Sequence, residues 1–149
     1  MGPTPQTENV RLSDSGRAVR ILDQSLLPNE TVYLVLTARE DLFEAIATLR
    51  VRGAPAIGIF AGYAMYVLAL QSRAEDRAAF LAERQADRDY LDAARPTAVN
   101  LRHMLDRVLR AAQAAVRAVR VSEPLRGYLV DIAHATRADP RIRMGVSPR

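Results

Sequence analysis

The sequence predicts an α+β fold that is mostly helical, with a small three-stranded antiparallel sheet followed by a helical bundle. Short β-branched and apolar runs between turn residues lie within the first 36 residues. Beyond them, apolar residues recur at helical spacing as far as residue 133. Of the 149 residues, 49% are hydrophobic and 26% charged, which is typical of one globular domain, or one and a fraction, with a real core.

The strands are predicted at residues 10–12, 18–22 and 31–36. The turn Ser13-Asp14-Ser15-Gly16 separates the first two, and a loop containing Pro28 precedes the third. Residues 1–9 are polar and are expected to form a disordered tail.

The helices are predicted from caps and apolar faces. Thr37 and Glu40 form a capping-box pattern before the first helix, and Ser72 and Glu75 repeat it before a charged helix that reaches residue 92. We expect the charges of that second helix to form a solvated face. Between the two helices, residues 56–70 are all apolar or glycine, too few to span a membrane easily, and they predict a helix buried at the centre of a bundle.

Two further helices are predicted towards the C-terminus. Pro96 suggests the start of one, and Ser122 to Pro124 opens another that closes at Asp139-Pro140. The first of these carries an apolar stripe made of Leu101, Leu105, Val108, Leu109, Ala112, Val116 and Val119. His103 has no partner in the sequence pattern and is expected at the surface or in a capping role.

Two arginine-bearing turns are the candidate functional site. Arg52-Gly53 precedes Pro55, and Arg95 precedes Pro96, so each turn lies before a predicted helix N-terminus. If the fold brings the turns together, two guanidinium groups and several backbone N–H groups would form one anion pocket suited to a phosphate. The open alternative is a corner at which Gly53 only lets two helices pack.

Composition excludes several chemistries. The sequence has no cysteine and no lysine, so it offers no disulfide, thiolate metal site, cysteine nucleophile or lysine Schiff base. We find no metal-ligand cluster, cofactor motif or catalytic set, and we interpret Asp23, Asp41 and Asp92 as caps or surface charges. The net charge of +4 is spread out and predicts no nucleic-acid partner. Without a signal peptide or membrane span, a cytoplasmic location is the default.

Three motifs of the sequence resemble those of a known family. They are residues 19–28 (VRILDQSLLP), 51–58 (VRGAPAIG) and 94–101 (ARPTAVNL). In order and spacing they resemble the S-methyl-5-thioribose-1-phosphate isomerases of the translation initiation factor 2B-like superfamily, over roughly residues 8–110. The resemblance implies an N-terminal sheet and helical bundle that precedes a larger Rossmann-like domain. It also implies isomerisation of a cyclic aldose 1-phosphate to a ketose 1-phosphate in methionine salvage.

The resemblance places contacts to the substrate phosphate and sugar on Arg52, Gly53, Ala54 and Arg95. The family's catalytic cysteine and aspartate lie downstream of the resembling part, and this sequence has no cysteine. We therefore expect the chain alone to be inactive, with no catalytic residue of its own. A homodimer, or a missing Rossmann-like domain supplied elsewhere, is the partner that this leaves open.

Residues 113–149 carry a second, shorter resemblance, to the helical lid of MoxR-type AAA+ ATPases. It would make Arg149 the sensor arginine that touches nucleotide phosphates, but the Walker motifs are absent, so ATP hydrolysis is not expected. Two functions follow as hypotheses: an isomerase N-terminal domain that keeps part of a sugar-phosphate site, or a non-catalytic interaction module, either regulatory or a lid fragment that recruits an ATPase.

Overall fold

A computed structural model of the protein describes residues 9–119, 128 and 130–132. The predicted fold class is confirmed, since an antiparallel sheet comes first and helices follow. The elements are β1 (Val10–Leu12), β2 (Val19–Leu22), β3 (Tyr33–Leu36), α1 (Arg39–Ala47), α2 (Ala54–Leu70), α3 (Arg77–Ala93) and α4 (Val99–Ala118). The chain divides into two compact units, residues 1–114 and 115–149. In the second unit the structure describes only the end of α4, residue 119 and exposed helical residues at 128 and 130–132.

The sheet has the order β1-β2-β3, and all its pairs are antiparallel. Val10 lies opposite Ile21, and Val19 lies opposite Leu36. In the central strand, Val19 and Ile21 are completely buried, because one face of the sheet packs on the helices. The predicted strands 18–22 and 31–36 are therefore correct, with ends one or two residues longer than observed.

The core of the first unit is built around α2, which packs on the sheet and on α1 and α3. Phe60, Ala64 and Met65 are its buried centre, and Leu101 and Leu105 of α4 join the same cluster. The prediction of a helix buried on all sides is wrong in part. One side of α2 stays open, with Ile59, Tyr66 and Leu70 about half exposed. No helix in the described part of the chain is both long and apolar enough to cross a membrane.

The two predicted capping boxes are wrong. Helix α1 begins at Arg39 with Ala38 as N-cap and no side-chain cap, so Thr37 does not form the expected capping box. Helix α3 begins at Arg77, where Asp76 accepts a hydrogen bond from the N–H of Ala79. Ser72 instead donates to Glu83 of that helix.

The charged face of α3 is the largest correction to the sequence interpretation. Arg84 and Asp87 are buried at 4% and 7% exposure, and they pair at 2.8 Å. Asp87 also forms an ion pair with Arg39 at 2.8 Å, which connects α3 to the start of α1. Charges that helical spacing placed on a solvated face thus lie at the contact between two helices.

Candidate functional site

A cleft of about 340 Å³ opens where α2 and α4 both begin. We call it the α2–α4 cleft. Its floor is apolar, formed by Ile57 and Leu101, which are almost completely buried. Its walls include Gly53, Ala54, Arg95 and Val99, and no carboxylate lies among its described lining residues. The cleft therefore has donors and positive charge at its rim, with nothing acidic to repel an anion.

The first wall is the N-terminus of α2. Gly53 is the N-cap, with φ 91° and ψ 135°, a conformation that favours glycine, and no side chain caps the helix. Pro55, in the first turn, has no N–H, and the first helical hydrogen bond runs from Ile57 N–H to the carbonyl of Gly53 at 3.0 Å. The N–H groups of Ala54 and Ala56 have no helical acceptor at this end, as in any first turn. Since Gly53 and Ala54 line the cleft, the positive end of the helix dipole lies beside it.

The second wall is the N-terminus of α4 together with the turn before it. The carbonyl of Arg95 accepts from Ala98 N–H at 2.9 Å, and the carbonyl of Ala98 accepts from Arg102 N–H at 3.2 Å, which fixes the turn against the helix. The helix begins at Val99, three residues later than Pro96 suggested. The first-turn N–H groups of Val99 and Asn100, like those of Ala54 and Ala56 in α2, therefore come at a helix start beside the cleft.

Arg95 supplies the positive charge of the cleft. Its side chain is half-buried and makes no hydrogen bond or ion pair with any residue that the structure describes. The nearby Asp92, at the end of α3, is already held by Arg102 at 3.1 Å and Arg88 at 3.3 Å. Arg95 therefore keeps its full donor capacity for a ligand.

Arg52 is placed differently from the other predicted site residues. Its guanidinium is exposed, lies outside the lining of the cleft and donates from Nη2 to the carbonyl of Gln24. The structure thus brings Gly53, Ala54 and Arg95 together, although they are about forty residues apart in the chain. The expected pocket with two guanidinium groups is a cleft with one, and two helix N-termini supply the remaining donors.

Sequence reasoning missed the role of Asp23, which is completely buried and is not a surface charge. It pairs with Arg50 at 2.6 Å and accepts two hydrogen bonds from Ser25. Burial alone would raise the pKa of Asp23, but the bonds from Ser25 and Arg50 outweigh it, so the pKa lies below its usual value. A local signal existed, because an aspartate side chain commonly accepts a hydrogen bond from the main-chain N–H two residues later, in an Asx-turn.

The remaining sequence predictions for sites concern Arg149, metal ligation and His103. Arg149 lies outside the described residues, so its likeness to a nucleotide-sensing arginine stays a prediction. Among residues 9–119, 128 and 130–132, no group of three or more acidic or histidine side chains could hold a metal ion. His103 is exposed on α4.

Comparison with known proteins then settles the family. Residues 50–146 match the model of the Initiation factor 2 subunit family. The chain belongs to this family. The match includes the α2–α4 cleft and most of the segment 113–149, for which the likeness to an AAA+ lid stays a prediction.

The relatives with similar sequences are sugar 1-phosphate isomerases by name. The chain is 52% identical over 103 residues to a methylthioribose-1-phosphate isomerase from Symbiobacterium thermophilum, covering 69% of this chain and 29% of the relative. It is 48% identical over 101 residues to a 5-deoxyribose 1-phosphate isomerase from Petrotoga mobilis, covering 68% and 29%. The chain therefore spans about three tenths of the length of the curated relatives it matches.

Two solved structures have the same fold. The 5-methylthioribose 1-phosphate isomerase from Pyrococcus horikoshii is 30% identical, with a TM-score of 0.69 over 83% of this chain and 33% of that one. The translation initiation factor eIF-2B subunit delta from A. fulgidus is 27% identical, with a TM-score of 0.64 over 86% of this chain and 39% of that one.

Proposed function

We propose that the chain is the N-terminal part of a methylthioribose-1-phosphate isomerase, and that the α2–α4 cleft holds the phosphate of a sugar 1-phosphate. The observation that carries this proposal is that the starts of two helices line one cleft with Arg95, whose guanidinium has no partner among the described residues. Backbone N–H groups at a helix start and a guanidinium fork are both established ways to bind a phosphate. The names of the relatives supply the sugar 1-phosphate as the ligand class.

In this proposal the residues of the chain bind and orient the substrate. An aldose–ketose isomerisation changes the sugar carbons and leaves the phosphate attached, so contacts to the phosphate act equally before and during the reaction. Such contacts lower KM and fix the position of the sugar, but they do not move a proton. A cysteine cannot come from this sequence, which has none, so the chemistry requires further residues that a Rossmann-like domain would supply.

Arg52 belongs to the proposal as a second contact, next to the cleft in the chain but outside its lining. It precedes Gly53 directly, its side chain is exposed, and only its Nη2 is bonded to Gln24 among the described residues. A guanidinium has five N–H donors, so four remain for a phosphate or a sugar hydroxyl.

The test is a calorimetric titration of the purified chain with ribose 1-phosphate. Arg95→Ala removes a charged hydrogen-bond donor worth about 1.5–3 kcal/mol, so we expect binding to weaken roughly 10- to 100-fold. Arg107→Ala is the matched control, because it removes the same charge from an exposed position of α4 outside the cleft. Equal affinities of the parent chain and of Arg95→Ala would refute the phosphate site.

A second candidate function is a non-catalytic regulatory module. The likeness to the eIF-2B subunit delta structure, which covers 86% of this chain, favours it. It predicts that the parent chain does not bind ribose 1-phosphate and instead forms a stable complex with another protein. The same titration, followed by size-exclusion chromatography with candidate partners, separates the two functions.

A further inference from the structure

The turn that carries Arg52 and Gly53 is held by a loop from the sheet. Asp23 directly follows β2, and its backbone N–H donates to the carbonyl of Val32 at 2.8 Å, which anchors it beside β3. One carboxylate oxygen accepts from the N–H and the hydroxyl of Ser25, and the other accepts from Arg50 at 2.6 Å. Asp23 thus connects the rigid sheet to the segment that leads into α2.

The connection continues through Gln24, whose main chain is bonded in both directions. Its N–H donates to the carbonyl of Arg50 at 2.9 Å, and its carbonyl accepts from the guanidinium of Arg52. Three hydrogen bonds therefore connect residues 23–25 to residues 50–52, which are distant in the sequence. Arg50 extends the network outward to Glu44, at 2.9 Å.

The segment between α1 and α2 is also bonded to the end of α1, where the N–H groups of Leu49 and Val51 donate to the carbonyls of Ile46 and Ala45 at 3.3 and 3.2 Å. Leu49 adopts φ 62°, an unfavourable conformation for a leucine, and Val51 is the completely buried anchor. Two residues beyond Val51 the chain reaches Gly53, the N-cap of α2. The direction in which α2 presents its first N–H groups thus depends on where residues 50–52 are held.

We infer that Asp23 and Arg50 are positioning residues of the α2–α4 cleft, holding the Arg52-Gly53 turn so that the first turn of α2 faces Arg95. The inference rests on the proposed function, because it concerns the same phosphate site. The buried carboxylate is the fixed end of the bond, with a side chain 1% exposed, while the Arg50 side chain is 34% exposed. The alternative is an ion pair that contributes only to the stability of the fold.

The experiment neutralises, one at a time, the two carboxylates that pair with Arg50, those of Asp23 and Glu44. Asp23→Asn keeps the shape of the side chain and removes the charge that holds Arg50, whereas Glu44→Gln removes the exposed outer partner and leaves the ties to Gln24 in place. Affinity for ribose 1-phosphate is measured by calorimetry well below the unfolding temperature, with far-UV circular dichroism to show that each variant is folded. We expect Asp23→Asn to weaken binding roughly 10- to 100-fold, as misplaced binding groups do, and Glu44→Gln to bind like the parent.

A change in stability alone would not couple the effects of Asp23→Asn and Arg95→Ala on ribose 1-phosphate binding, so this coupling is the second readout. If Asp23 acts through the cleft, adding Asp23→Asn to Arg95→Ala weakens binding by less than the product of the two single effects. Arg50→Met is the second variant if Asp23→Asn does not fold, because in it Asp23 keeps both bonds from Ser25. If Arg95→Ala weakens binding while the folded Asp23→Asn or Arg50→Met binds like the parent, the positioning role is wrong and the phosphate site stands. If Arg95→Ala changes nothing, the proposed function itself fails.

Discussion

Gly53 before α2 and Gly58 within it allow the same substitution to be tested with opposite expected outcomes. Gly53 is the N-cap with φ 91°, and Gly58 lies one turn into the helix. A Cβ added at Gly53 would meet no atom within 4 Å, and one added at Gly58 would lie 3.8 Å from the main-chain oxygen of Asn100, an ordinary contact. Neither alanine therefore clashes, and the backbone conformation decides the effect.

At Gly53 an alanine must adopt a conformation that costs about 1–3 kcal/mol. Alanine also lowers the conformational entropy of the unfolded chain, which offsets about 0.4–1 kcal/mol of this cost. Gly53→Ala should therefore lower the free energy of unfolding by about 0.5–2 kcal/mol. At Gly58 the conformation is helical, and alanine is favoured over glycine by about 0.5–1 kcal/mol. Gly58→Ala should therefore raise the free energy of unfolding.

Urea denaturation followed by circular dichroism measures both values, and unchanged m-values show that the comparison concerns the native state. Titration with ribose 1-phosphate should show weaker binding for Gly53→Ala only, because any relief of the strain moves the first N–H groups of α2. The reasoning is refuted if Gly53→Ala is as stable as the parent, or if Gly58→Ala destabilises as strongly as Gly53→Ala.

Two further predictions concern buried charges. Asp87→Ala should lower the free energy of unfolding by about 3–5 kcal/mol, since it leaves Arg84 buried without its nearest partner. Arg84→Met should be close to neutral, because Asp87 keeps its ion pair with Arg39. Equal losses of the two variants in urea denaturation would contradict this prediction. Because the pKa of Asp23 is below its usual 3.8 in the folded state, its stabilisation is present above that pH and disappears as the pH falls through the lowered value. Between pH 7 and pH 2 the parent should therefore lose more stability than Asp23→Asn, and identical losses would contradict the sign.

The fold was predictable because its signals are local and repeated. Alternating strands around the turn at residues 13–16 and the apolar run at 56–70 each specify an element from their own sequence. The helix starts were less predictable, because Ser72 and Asp76 are both good N-caps and the pattern does not show which of them the chain uses. Asp87 was misplaced for a different reason: it is buried and paired with Arg39 of α1, a contact between two helices that no local pattern contains.

The candidate site was predictable in its parts and not in its geometry. Pro55 after Gly53 correctly indicated a helix start with free N–H groups. That Gly53 and Arg95 share one cleft depends on how α2 and α4 meet, and that Arg52 bonds to Gln24 depends on the loop after β2. These are tertiary facts: the helix-start patterns could group the two turns only on the condition that the fold brings them together, and the resemblance to a family assigned both to one substrate.

Most of the proposed phosphate donors in the cleft are main-chain N–H groups at two helix starts. A main-chain donor stays in place whichever side chain is attached to it, apart from proline. Substitutions at Ala54, Val99 or Asn100 can therefore alter the width and polarity of the cleft, and with them the sugar that it accepts, while the grip on the phosphate is retained. Side-chain substitutions in the cleft could therefore change which sugar is bound without removing the donors that bind the phosphate.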